Sequence, residues 1–114
     1  MKKIDTLSLT GRSGRHYEFR LYVWQTPLKS VPAVYVVTER SIEPNRAPSY
    51  KPLFIGSTAD VSKIFERHPK QDCFDLHYAN TVGVLREGDP AARAAIETDL
   101  IDALSPPCNA AEIV

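Results

Sequence analysis

Gly88-Asp89-Pro90 and Pro106-Pro107 bracket the one long stretch of this chain that is well marked as a helix. The Asp89 carboxylate can accept a backbone N–H of the first turn, and Pro90 has no N–H to lose at the first helical position. Between the brackets Ala92, Ile96, Leu100, Ala103 and Leu104 recur at helical spacing, and Pro106 forbids continuation. The bracket predicts a helix from Asp89 to about Leu104. Upstream, Pro and Gly clusters cut the chain into short pieces rich in β-branched and aromatic residues. Such a chain has to build a sheet from short strands and cover it with helix.

Those pieces read as follows. Leu7-Ser8-Leu9 and residues 17–24 flank the turn cluster Thr10-Gly11-Arg12-Ser13-Gly14, which predicts an N-terminal β-hairpin. Tyr17, Phe19, Leu21 and Val23 alternate with Glu18, Arg20, Tyr22 and Trp24, so both faces carry apolar or aromatic groups. Residues 33–37 form a continuous apolar run of the buried-strand kind. Residues 40–50, with Pro44 and Pro48, read as an exposed loop. Pro52-Leu53-Phe54-Ile55-Gly56 is the next strand, with Gly56 turning the chain. A second helix is expected from Ser57 or Thr58 to His68, with Val61, Ile64 and Phe65 inward and Pro69 as its stop. Residues 71–77 read as irregular and residues 78–85 as a last core strand interrupted by Gly83. The order predicts an α+β fold with a small, mainly antiparallel central sheet flanked by helices.

At 114 residues the chain is the size of a single domain, 1–114. No apolar run reaches the length of a membrane span, and no apolar stretch follows the basic Met1-Lys2-Lys3 start. The expected location is therefore cytoplasmic, with no membrane partner. Cys73 and Cys108 lack a C-x-x-C spacing and are expected to be two reduced, partly buried thiols. His16, His68 and His77 lack the spacing of a zinc site. Formal net charge is zero, which weighs against a strongly nucleic-acid-binding surface. The charge is nonetheless uneven. The first 30 residues hold six basic against two acidic side chains, and from Leu85 onward two basic face six acidic. A basic front end could track phosphates, or the two ends could neutralise one another as solvated faces.

Among candidate site residues Glu97 is the sharpest. It borders the apolar stripe of the last helix, where a carboxylate needs a partner. Arg93, one turn back, would suffice as an ion pair; a metal ion is the functional alternative. Tyr35 sits between Val34 and Val36 in a strand, as core tyrosines do. His68 would end the first helix, where a cation suits the helix dipole. Asn109, after two prolines, can tie down a loop through its amide. No Gly-rich phosphate loop, G-x-S-x-G or H-E-x-x-H is present.

Taken in order, Ala33-Val34-Tyr35, Phe54-Ile55-Gly56-Ser57-Thr58, Ala95-Ile96-Glu97 and Pro106-Pro107-Cys108-Asn109 resemble the motifs of the GIY-YIG nuclease superfamily. The resemblance covers a core of residues 31–110, with residues 1–30 as a hairpin extension. It implies a Mg²⁺- or Mn²⁺-dependent DNA endonuclease that hydrolyses a phosphodiester. Glu97 would hold the metal, Tyr35 would help deprotonate the attacking water, Asn109 would brace the site and His68 would lie beside it. Phe54 stands where the family has its second tyrosine, and Ile64 where it has its arginine. Losing one such phosphate-stabilising donor typically costs ~10²–10³ in rate. The resemblance thus implies a nuclease-related protein whose activity is weakened or lost, with a non-catalytic nucleic-acid-binding or protein-interaction module as the alternative.

Overall fold

The computed structural model describes residues 3–110. Its centre is strand β3 (Ala33–Ser41), and every side chain from Ala33 to Thr38 is buried. The reason is topological. The sheet runs β1 (Asp5–Thr10), β2 (His16–Val23), β5 (Thr81–Arg86), β3, β4 (Ser49–Thr58), with every neighbouring pair antiparallel. β3 has a strand on each side and a layer on each face. Successive strand residues point to opposite faces, so the run that sequence shows as continuously apolar is divided between two cores. Val34 and Val36 pack with Leu9, Phe19, Ile55 and Leu100 under helix α2 (Pro90–Leu104). Tyr35 and Val37 pack with Leu53, Val61, Ile64 and Phe74 under the segment 59–79. The α+β class and the antiparallel sheet are as expected.

The hairpin and α2 follow their sequence signals closely. The Asp89 side chain accepts from Ala91 N, and Pro90 opens the helix. The tip of the β1–β2 hairpin is fastened to α2 by Asp99, whose carboxylate accepts from Ser13 N, Ser13 Oγ and Tyr17 Oη at 2.6–2.8 Å. These bonds hold the Asp99 carboxyl below the usual carboxylate range, Ser13 contributing most. Gly11 is required here, since a Cβ would fall 2.0 Å from Asp99 Oδ2.

Four local expectations are corrected. The helix expected from residue 57 or 58 to His68 does not form: β4 continues through Thr58, and only a 3-10 turn at Val61–Lys63 follows. Side chains compete with the backbone there. Asp60 Oδ1 accepts from Ser62 N and Ser62 Oγ, and Arg67 adopts a left-handed φ of 48°. Helix instead appears where irregular chain was expected, as α1 (Gln71–Leu76), held by the fully buried Phe74. The 40–50 loop is shorter than read, because β3 and β4 pair from Ser41↔Ser49 inward. The last strand starts at Thr81, since Tyr78 lies in a left-handed turn and is exposed. One extra residue, Leu53, is inserted where the β3–β4 register steps from Val37↔Phe54 to Thr38↔Pro52. That bulge lets Leu53 and Phe54 both serve the same core.

The cysteines are the largest correction. Cys73 in α1 and Cys108 in the 3-10 turn Pro107–Asn109 form a disulfide rather than two free thiols. Separated by 35 residues, they carry no local spacing signal; tertiary packing alone brings their Cα atoms to 5.8 Å. By loop-closure entropy a bridge of this span stabilises by about 3–4 kcal/mol. Reduction should therefore lower the melting temperature by about 10–20 °C. Melting curves that superimpose with and without reductant would show that the bridge contributes nothing.

A cleft at the sheet edge as the candidate functional site

Strand β4 is an edge of the sheet, and a cleft of about 310 Å³ wraps around it. Tyr35, Phe54, Gly56, Ile64, His68 and Glu97 all line it. Tyr35 comes from the layer under segment 59–79, and Glu97 reaches the cleft from α2 on the other side of β4. Gly56, read from sequence as a turn glycine, lies within the strand directly opposite Tyr35. A Cβ on it would meet Tyr35 Oη and Cζ at 2.6 Å and Phe54 Cε2 at 2.7 Å. Only a glycine lets the tyrosine ring lie across the strand.

Tyr35 and His68 form a pair. Lys70 N donates to His68 Nδ1 at 3.0 Å. A neutral His68 therefore carries its proton on Nε2 and donates it to Tyr35 Oη, 2.8 Å away. Burial, and secondarily the Lys70 charge, lower the His68 pKa, which favours that neutral form. His68 was expected to end a helix, but no helix forms there; it packs edge-on to Tyr35 and Phe54. The Tyr35 phenol is pushed well above its ordinary value, first by burial and then by the Glu97 carboxylate. At neutral pH it is a protonated phenol.

Glu97 is half-buried and accepts from Ser57 Oγ at 3.3 Å. Arg93 does not pair with it. The Arg93 guanidinium is buried and donates to the carbonyls of Glu87 and Gly88, closing the start of α2. Among the described residues the sole ion pair is Arg46–Glu43. Asn109 does not line the cleft but fastens its wall. Its Oδ1 accepts from Ile55 N and its Nδ2 donates to Ile55 O, at 2.8 and 2.9 Å. The amide thus replaces a strand partner on the open edge of β4.

Lys63, which a regular helix would have turned away, and Glu66, which no sequence signal singles out, also line the cleft. On a regular helix Lys63 would point about 100° away from Ile64. The 3-10 turn and the irregular chain after it aim both toward the cleft. Ile64 is 6 % exposed and belongs to the core. Arg67, one turn on from Ile64 in the expected helix, is not among the lining residues. The cleft thus offers one half-buried carboxylate, one exposed carboxylate, one ammonium group and a phenol–imidazole pair.

Two outcomes follow from this geometry. Gly56→Ala should cost about 1–3 kcal/mol by overpacking and displace Tyr35, which the loss of the His68–Tyr35 coupling in imidazole NMR would report. His68, with its folded pKa below the ordinary 6.5, favours the fold while neutral. Its contribution is present above pH 6.5 and is lost as pH falls through the lowered value. His68→Gln should flatten that part of the stability profile, and an unchanged profile would remove His68 as its source.

No protein-family model, no curated protein and no solved structure matches this chain, so the roles of these side chains rest on their chemistry and on the motif order in the sequence.

Proposed function

We propose that this cleft is a phosphodiester-hydrolysing site of the GIY-YIG kind acting on DNA, with activity weakened by the absence of the arginine. The observation that carries the reading is the convergence of Tyr35, His68 and Glu97 on one cleft from β3, the irregular chain before α1, and α2. Glu97 suits a metal ion: it is half-buried, has no cation at ion-pair distance among the described residues, and offers a hard oxygen donor. One carboxylate leaves most positions of an octahedral Mg²⁺ or Mn²⁺ to water and substrate phosphate, so affinity in the free protein is weak. The metal when bound would polarise the scissile phosphate. Glu66 is the other carboxylate of the lining.

The protein's own groups divide the remaining work. His68 Nε2–H, donating to Tyr35 Oη, favours the phenolate and opposes the burial and Glu97 charge that disfavour it. A cation at Glu97 would cancel the second of those two. Tyr35 then accepts a proton from the attacking water more readily as pH rises. Lys63 is the one cation of the lining and supplies part of the phosphate stabilisation that Ile64 cannot. Asn109 holds the strand that carries Phe54 and Gly56.

A second reading, a non-catalytic interaction module, is favoured by one observation. Phe54 packs edge-on to His68 and Phe74 at 5.1 and 5.6 Å, so one wall of the cleft is an aromatic cluster rather than a polar one. Nicking of supercoiled DNA with Mg²⁺ or Mn²⁺ distinguishes the two. The hydrolase reading expects slow nicking that rises between pH 7 and 9, is abolished by Glu97→Ala and falls at least ~10-fold in Tyr35→Phe and Lys63→Ala. Absence of nicking in the folded wild type under all these conditions would leave the interaction module. Ile64→Arg should not rescue activity, because it puts a guanidinium into the core at a cost of several kcal/mol; a stable, faster variant would contradict that packing argument.

A further inference from the structure

Cys73 and His77 stand four residues apart, one on α1 and one at its C-terminal cap. That spacing sets their side chains on one face, a turn apart. Cys108 meets them from the 3-10 turn Pro107–Asn109. The two sulfurs and a His77 ring nitrogen all lie within 4.8 Å of one another, the one such cluster of three among the described residues. A disulfide needs two cysteines and no imidazole. The third donor makes the cluster more than a bridge.

We propose that these three side chains form a redox-gated site for one Zn²⁺-class cation, closed while the disulfide stands and opened by its reduction. The donor set is two thiolates and an imidazole, which selects soft or borderline d¹⁰ ions and not the hard ions that suit Glu97. Two thiolates on one tetrahedral Zn²⁺, each at about 2.3 Å, sit roughly 3.8 Å apart, a separation that side-chain rotation can supply across a Cα–Cα distance of 5.8 Å. Both halves of the site are held independently of the bridge. Phe74 is fully buried and anchors α1. Asn109, next to Cys108, is bonded twice to Ile55. Cutting the S–S bond therefore frees the donors without releasing their backbones. A cavity of about 270 Å³, lined by Lys70, Asp72, Cys73 and Cys108 among others, opens beside both cysteines.

The chemistry balances with a dithiol reductant. One thiolate of the dithiol attacks a sulfur of the Cys73–Cys108 bond, which breaks and leaves a mixed disulfide. The second thiol of the reductant then displaces that cysteine, closing its own disulfide. Two electrons pass from the dithiol to the protein, which is left with two thiols. Binding Zn²⁺ expels both thiol protons to solvent, while His77 binds as the neutral imidazole.

The test uses the full chain, oxidised or fully reduced by a phosphine, titrated with Zn²⁺ alone against a chromogenic chelator. The reduced wild type should bind one ion per chain more tightly than about 1 µM, with about two protons released per ion in calorimetry across buffers. The oxidised protein should bind at least ~100-fold more weakly. Losing even a group that merely orients a ligand costs about 10–100-fold, so Cys73→Ser, His77→Ala and Cys108→Ser should each lose at least ~10-fold, with Glu97→Ala unchanged. Co²⁺ added to reduced wild type, a measurement that needs no variant, should show thiolate-to-metal charge-transfer absorption. Lack of that band, or His77→Ala binding as tightly as wild type, would overturn the proposal. So would equal binding by the oxidised protein.

Discussion

Burial of β3 on both faces is the constraint from which the rest of the architecture follows. A strand with apolar side chains on both faces needs two covering layers, because exposing either face would leave several Val-sized groups in water at about 1.5–3 kcal/mol each. α2 covers one face with Leu100 and its neighbours. The other face has no long helix available, since Pro69 and the Asp60–Ser62 bonds break the chain there. It is covered by a 3-10 turn, the short α1 and a disulfide that ties α1 to the C-terminal turn. One face is closed by a regular element and the other by a patchwork.

The candidate site lies where those two coverings meet. β4 has no strand beyond it, so its edge is where groups from α2 and from the segment 59–79 can face one another. Asn109 satisfies part of that open edge with a side-chain amide, which leaves room beside it that a further strand would have filled. The tyrosine ring crosses the strand because Gly56 lies beneath it. Site geometry and edge protection are thus products of the same few residues.

The irregular covering also sets the chemistry. The turn that replaces the expected helix puts Lys63 and Glu66 into the cleft beside Ile64, which is buried and forms part of its apolar wall. The same patchwork places His68 against Tyr35 and puts Cys73, His77 and Cys108 together. In both clusters, side chains of segments distant in sequence are brought together by the way this face is covered.

The elements whose signals are local are legible in the amino-acid sequence. The Asp89-Pro90 cap and Pro106 stop fix α2, the alternation in residues 17–24 and the turn cluster before it fix the hairpin, and the apolar run 33–37 marks the central strand. The motif order also singled out Tyr35, Glu97 and His68, which share the cleft, and Asn109, which fastens its wall. Tertiary structure alone decided the remainder. Helical spacing of Val61, Ile64 and Phe65 suggested a helix, but those residues are inward for a different reason: they plug the second face of β3 from a turn. Gly56 read as a turn because its strand role depends on Tyr35, 21 positions away. The disulfide and its neighbouring histidine were invisible because Cys108 is 35 residues from Cys73. Caps, turns and periodicity act through neighbouring residues and are written in the chain; close approaches between segments depend on how the two faces of one buried strand are covered, and that is settled only by packing.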